Sequence, residues 1–461
     1  MPDPSQGTPK GPEPQLSIPK DVTDTPSTSS TAFEPVDPKT WPLYRKYLNL
    51  FLVSFMSLMG YFSSAVYMPA TTEIREYFNT SITVVNTTIA FFVLLLGISP
   101  LFFAPLSEQI GRRWIYVGGI FLFTVFTILC GISTNLGAFI FFRLCQGIFA
   151  SIGQGLGGGS IADMFEGRQR SRAVSFYMFG TIFGPAIAPT VGGFITRYLG
   201  FRWLFYIKAI IGGLLTLASF FFLDETLHQP HTKTPFLQRL KSVRVNPIST
   251  FGLLLKPPIG LVCLAVSTAF GWFYLMVTNL PLTFSDRYGF SVDKIGLLYL
   301  PGGIGNCSGA IVAGLIAHRC YLWLTRRNLG KPLAEFYLAP IVIALPLLLA
   351  GLLIYGWAID YQANLFVALL GYLFFTHATM LSITLSNTYL VEAYLERSAS
   401  VVSVNNCLRN IFATVFSVLA AIVRNGLGDG WTYTTAAITV FVFYLPLLLV
   451  WFYGPAWRAK G

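Results

Sequence analysis

Long apolar runs separated by short polar turns dominate this chain, and such runs have few ways of being stable. In hydrocarbon an unsatisfied backbone N–H or C=O is expensive, so a spanning segment closes its hydrogen bonds within itself as a helix or belongs to a closed barrel. Apolar segments are read at about 47–70, 82–104, 114–134, 136–162, 173–196 and 203–223, then at about 259–284, 292–317, 335–357, 363–390, 399–423 and 432–453. Each holds about 20 to 28 residues, enough at about 1.5 Å per residue to cross an apolar layer about 30 Å thick with some tilt. The period-two alternation of barrel strands is not seen, and Gly and Pro inside the runs are tolerated by membrane helices. The expected fold is an all-α membrane protein with twelve transmembrane helices.

Composition agrees with this and narrows the function. Over 461 residues, 54% are hydrophobic and 11% are charged. Soluble domains carry about 25% charged residues, which argues against a soluble enzyme. Residues 1–45 are rich in Pro, Ser, Thr, Asp and Lys and cannot bury a core, so a disordered cytoplasmic tail is expected there, without the short apolar core of a cleavable signal. Two six-helix bundles follow, at 46–223 and 259–454, divided by a polar linker at 224–258 and closed by a short tail at 455–461.

The net charge of +11 reads as a topology signal and not as a nucleic-acid footprint. With both termini cytoplasmic, the outer loops hold only Arg75, Arg197, Arg202, Arg287, Lys294 and Arg424 of the 31 Lys and Arg. Asn79-Thr80-Ser81 is a glycosylation sequon near the first outer loop; Asn86 opens a second, too close to the membrane for use. The six cysteines show no clustered spacing, so neither a metal site nor a disulfide framework is indicated.

Several segments carry chemistry. Between spans two and three stands Ala104-Pro-Leu-Ser-Glu108-Gln-Ile-Gly111-Arg112-Arg113. Glu108 could face a positive helix amino terminus while Arg112 seeks an acidic partner; a plain positive-inside anchor is the alternative. Span four contains Arg143-Leu-Cys-Gln146-Gly147, whose arginine must face a polar interior, as a hydrogen-bond hub or as a coupling residue. Span five contains Gly180-Thr-Ile-Phe-Gly184-Pro185-Ala-Ile-Ala-Pro189-Thr-Val-Gly192-Gly193, small residues that permit close helix approach and prolines that bend the helix.

Together these segments resemble signatures of the major facilitator superfamily, a fold of two six-helix bundles. The Gly-Pro…Pro…Gly-Gly order of span five looks like the antiporter signature of its proton-coupled exporters. With Asp224-Glu225-Thr226 after span six, Asn387-Thr-Tyr389 in span ten and Asn405-Asn406-Cys-Leu-Arg409 in span eleven, the chain resembles the fungal twelve-span drug:H+ antiporters. The resemblance implies a gating loop at 104–113 with Arg112 paired to Asp163, a small-molecule substrate and a proton gradient as the energy source, with no cofactor. It also implies a monomer in the plasma membrane, or alternatively the vacuolar one. Gly314-Leu-Ile-Ala-His318-Arg319 with Arg326-Arg327 reads as a weak echo of the gating loop after span eight.

A substrate cavity is expected near the midplane between the bundles, with Tyr61, Gln146, Tyr177, Trp272, Tyr274, Asn279, Asn306, His377, Asn405 and Arg409 as candidates. His377 is the mid-membrane histidine, with a side-chain chemistry suited to proton exchange. Arg143, Lys208 and Arg409 are positive charges in or near the spans without a central carboxylate, which favours an anionic cargo; the family resemblance favours cationic drugs.

Overall fold

The protein is described by a computed structural model over residues 37–227, 251–329, 331–394 and 397–459. The expectations for residues 1–36 and for most of the 224–258 linker, including His228 and His231, lie outside the described residues. Among the described residues the secondary structure is helical, with no strand. The spanning helices are α1 Leu43–Tyr77, α2 Ile82–Ile110, α3 Arg112–Ile132, α4 Leu136–Met164, α5 Arg172–Leu199, α6 Arg202–Phe222, α7 Pro257–Tyr288, α8 Val292–Arg327, α9 Ala334–Asp360 and α10 Leu365–Ala393, then a last segment Ser400–Arg458.

That last segment is two spans. Gly428, with φ 76° and ψ 170°, leaves the helical region and divides it into α11 (400–427) and α12 (429–458). Their direction follows from their partners on α7. Thr278 Oγ1 donates to Ser417 Oγ (3.3 Å) and Asn279 Nδ2 to the Ala420 carbonyl (2.9 Å), whereas beyond the break Trp272 Nε1 donates to Thr439 Oγ1 (2.7 Å). The chain therefore runs along α7, reverses at Gly428 and returns. The reversal is held by charge: buried Asp429 takes Arg424 Nε at 3.0 Å and Arg287 Nε at 2.9 Å, and Arg287 also reaches Asp360 at 3.3 Å.

Most helices extend beyond their apolar runs, because once its core segment is anchored a helix continues into the interfacial layer with Arg, Lys and aromatic residues. The largest correction falls on α8. The 314–327 stretch, read from the sequence as a loop echoing 104–113, is helical through Arg327. Its arginines lower the hydropathy without breaking the helix, and Arg327 lies over the Trp323 ring at 4.0 Å, one turn away.

Two crossings provide most of the contact between the two halves. Where α5 passes α8, Thr190 Oγ1 donates to the Gly296 carbonyl (2.9 Å), and a Cβ on Gly303 would lie only 2.8 Å from that of Ala186. Where α2 passes α11, Thr414 Oγ1 donates to the Ala90 carbonyl (3.0 Å) and the Asn410 side chain covers Gly97. Arg197 and Asp293 add an ion pair at 3.9 Å. These contacts occupy the middle of the spans and the end that carries the Asn79 turn, opposite the 104–113 segment.

Gly303→Ala is expected to cost about 1–3 kcal/mol through overpacking at the α5–α8 crossing. Gly314→Ala on the same helix, where a Cβ meets nothing within 4 Å, should be neutral or slightly stabilising. Thermal unfolding of the detergent-solubilised proteins checks both; equal midpoints would show that the crossing is not tightly packed.

Candidate functional site

The 104–113 segment is built around a backbone turn and two carboxylates, Asp163 and Glu225. Gly111 adopts φ 110°, ψ 152°, which permits α3 to start immediately after α2 ends. A Cβ there would lie 2.6 Å from Glu225 Oε2. Arg112 Nε donates to Asp163 Oδ2 at 2.6 Å and its Nη2 to Asp163 Oδ1 at 3.4 Å, so the start of α3 and the end of α4 are tied by a largely buried pair. Gly159, one turn before Asp163, lets the guanidinium lie against the α4 backbone.

The helix amino terminus is served differently from the sequence expectation. Glu108 is exposed, and Glu225 accepts the amides of Arg112 (2.9 Å) and Arg113 (3.1 Å) in the first turn of α3. Glu108 sits on the last turn of α2 before the Gly111 break, where α3's free amides do not point at it. Arg113 Nη2 donates to the Phe220 carbonyl at the end of α6 (2.8 Å). Next to Glu225, Asp224 receives Arg45 Nε and Nη2 (both 2.7 Å) and Asn49 Nδ2 (3.1 Å) from α1. The Asp224-Glu225 pair thus joins the end of α6 to α1 and α3. The sequence motif was visible, but its partners lie about 110 and 175 residues away.

The span-five motif forms a two-sided wedge. Gly180 and Gly184 face α1, where a Cβ on each would lie 3.1 Å from the Ser54 carbonyl and 3.2 Å from the Leu58 carbonyl. Gly192 abuts the Val66 carbonyl on the same face. Gly193 and the Pro189 carbonyl face Gly296 of α8. Pro185 and Pro189 lie inside a helix that remains continuous. The α8-facing side of the wedge is therefore one of the surfaces on which the halves touch.

Arg143 of α4 is 1% exposed. Its Nη1 donates to Gln146 Oε1 and its Nη2 to the Ser63 carbonyl (2.9 Å), while its guanidinium lies over the rings of Phe92 (4.1 Å) and Tyr67 (4.9 Å). Gln146 passes the network to Thr127 Oγ1 (2.5 Å) on α3, and Gly147 allows the α2 backbone at Phe92 to approach α4. Lys208 of α6, equally buried, lies over Phe205 at 4.5 Å and its Nζ has no hydrogen-bond partner.

A second constellation lies at mid-span between the halves. Arg409 of α11 is partly exposed, donates through Nη2 to Asn406 Oδ1 (2.8 Å), and lies over the Phe270 ring of α7 at 4.7 Å. Tyr61 of α1 and Tyr274 of α7 lie within its electrostatic reach. Tyr274 hydrogen-bonds to Ser64, whose hydroxyl donates to the Tyr61 carbonyl (2.7 Å). Of the cavity candidates, the structure brings together Tyr61, Tyr274 and Arg409.

The others stand elsewhere. Tyr177 is buried where α5 meets α1 and α4, its hydroxyl donating to the Gly153 carbonyl (3.1 Å). Trp272 and Asn279 hold α7 to α12 and α11. His377 Nδ1 bonds Ser308 Oγ (2.8 Å) between α10 and α8, and Asn405 donates to Asn387 Oδ1 (2.8 Å) between α11 and α10. Asn306 is partly exposed on α8. Asn79, at φ 47°, is exposed in the α1–α2 turn, whereas Asn86 is buried within α2. Among the described residues no cluster of His, Cys, Asp and Glu could hold a metal ion.

A helical chain crossing the membrane many times, with polar groups gathered between two halves, has the architecture of a solute transporter. The sequence profile of the Major Facilitator Superfamily matches residues 50–417, and the chain belongs to that superfamily. It is 34% identical to "Efflux pump radE" of Floropilus chiversii, over 92% of this chain and 83% of that protein. It is 30% identical to "MFS-type transporter hepF" of Aspergillus oryzae, over 93% of each. Solved structures of similar fold include the D-xylose-proton symporter (TM-score 0.64, 18% identity, 87% of this chain and 97% of that one). A bacterial homologue of the lysosomal transporter Spinster matches with TM-score 0.62 and 16% identity, over 91% and 98%. The protein is a multi-pass membrane transporter of small molecules and not an enzyme.

The Arg45 and Asn49 bonds hold the Asp224 carboxyl below the usual carboxylate range, the Arg45 bond being the larger cause. A folded-state depression stabilises the protein above the unfolded value of about 3.9 and is lost as pH falls through the lower folded value. Thermal stability should therefore decline below about pH 4, and Asp224→Asn should flatten that decline while lowering the neutral-pH midpoint. Unfolding midpoints of the two proteins across pH measure this; parallel curves would remove Asp224 from the acid response.

Proposed function

We propose that this protein is a proton-coupled antiporter that exports drugs or small organic metabolites by alternating access, residing in the plasma membrane with both termini cytoplasmic. The observation that carries this reading is the position of the span-five motif. Its Gly and Pro residues form the contact between α5 and both α1 and α8, so the element resembling an exporter signature lies where the halves must move against each other. The relative named as an efflux pump supports the same direction.

In this reading the cytoplasmic ends of the halves separate to admit cargo while the α5–α8 and α2–α11 crossings seal the outside. Outward opening parts those crossings and brings the cytoplasmic ends together. The Arg112–Asp163 pair and the Glu225 cap keep α3, α4 and α6 as one unit during that movement. Protons moving inward supply the energy, without a cofactor. Excess positive charge on the loops that this orientation places inside supports it.

Cells expressing the protein should extrude a substrate faster when the medium is acidified, and collapse of the gradient should abolish the difference. Flux indifferent to the gradient would overturn proton coupling. Arg112→Ala is expected to reduce transport roughly tenfold or more at normal surface abundance, since it leaves Asp163 unpaired; unimpaired flux would remove the pair from the transport cycle.

A further inference from the structure

We propose that the cargo is an aromatic organic anion whose carboxylate is gripped by Arg409 at mid-span, an inference that rests on the export reading and specifies its substrate class. The three intramembrane cations differ in what surrounds them. Arg143 is enclosed by acceptors and rings of α1, α2, α4 and α6, all within the first half, and Lys208 lies behind it against Phe205. Arg409 alone of the three stands between the halves, is partly exposed, and lies within electrostatic reach of Tyr61 of the opposite half.

The side chain is only half used. Nη2 is taken by Asn406, one face of the guanidinium is covered by Phe270, and Nε is buried without a hydrogen-bond partner. Among the described residues the ionisable groups acting on it are Tyr61, Tyr274 and Cys263, none of them a carboxylate. A guanidinium in a membrane interior without a counter-charge among the described residues is costly, and an arriving carboxylate relieves that cost while accepting a charge-assisted bond from the guanidinium. Phe270, Tyr61 and Tyr274 come from both halves and offer ring surface for a planar apolar body. A cationic cargo would meet uncompensated like charge at the same point. The charge arithmetic that left the cargo open in the sequence is thus resolved by position: one cation is available to a ligand and two are packed away.

The test uses the full-length protein in lipid nanodiscs and three isosteric probes, 2-naphthoate, 2-naphthamide and 2-naphthylmethylammonium, titrated calorimetrically. Naphthoate should bind roughly tenfold or more tightly than the amide, the increment of one charge-assisted pair, and the ammonium should bind more weakly than both. Arg409→Gln should bring naphthoate and amide within about twofold of each other, whereas Arg409→Lys should keep a reduced preference for the anion, as expected for a point charge without the fork. Arg409→Lys also serves as the charge-retaining variant if the glutamine protein does not fold. Absence of naphthoate binding, equal binding of the amide or ammonium, or an undiminished preference in Arg409→Gln would overturn the inference. Flux in proteoliposomes separates the two readings. Naphthoate bound but not moved overturns export and leaves the anion site standing; ammonium moved in place of naphthoate leaves export and overturns the anion site.

Discussion

Hydrocarbon offers no water to a polar group, and the whole structure follows from that absence. It makes every span a helix, and it also decides what the polar side chains inside the spans do. Ser54, Thr124 and Ser382 turn their hydroxyls back to carbonyls four residues earlier. Trp272, Asn279 and Asn405 spend their donors between neighbouring helices. Polar residues handled in this way hold the fold. Lys208 is left without a partner but sealed in the first half, whereas Arg409 keeps an unpartnered Nε and is partly exposed between the halves, which is why the proposed solute is placed there.

The same constraint explains what could be read in advance. Twelve spans were legible because an apolar run long enough to cross the bilayer has no alternative structure. Helix ends were less so: Arg319, Arg326 and Arg327 look like a loop in a hydropathy reading but continue α8, since a helix in the interfacial layer accepts charge on its surface. The absence of a distinct loop between α11 and α12 was likewise hidden, because Arg424 and Asp429 neutralise each other within the turn.

For the site, pairs that a family resemblance names were easier to anticipate than those it does not. Arg112 with Asp163, 51 residues apart, was implied by the resemblance of the 104–113 segment. Glu225 as the cap of α3 did not, since Glu108 stood much nearer in sequence and only folding brings the end of α6 to the start of α3. The cavity candidates could not be sorted in advance for another reason. Helices apolar on nearly every face carry little phase information, so Tyr177, Trp272 and Asn279 could not be told from Tyr61 and Tyr274 until their neighbours were known.

The crossing of α5 and α8 has a mechanical consequence. At Gly193, Gly296 and Gly303 the two halves present bare backbone to each other. Interlocked side chains would have to leave one set of rotamers and find another before such surfaces could part, whereas backbone ridges have no rotamers to unlock. The barrier to separation then falls mainly on a few discrete bonds, Thr190 to Gly296 and Arg197 to Asp293 among them. Under the alternating-access reading proposed above, smoothness at this seam is a kinetic property: it sets how quickly the halves rock, independently of how tightly either conformation is held.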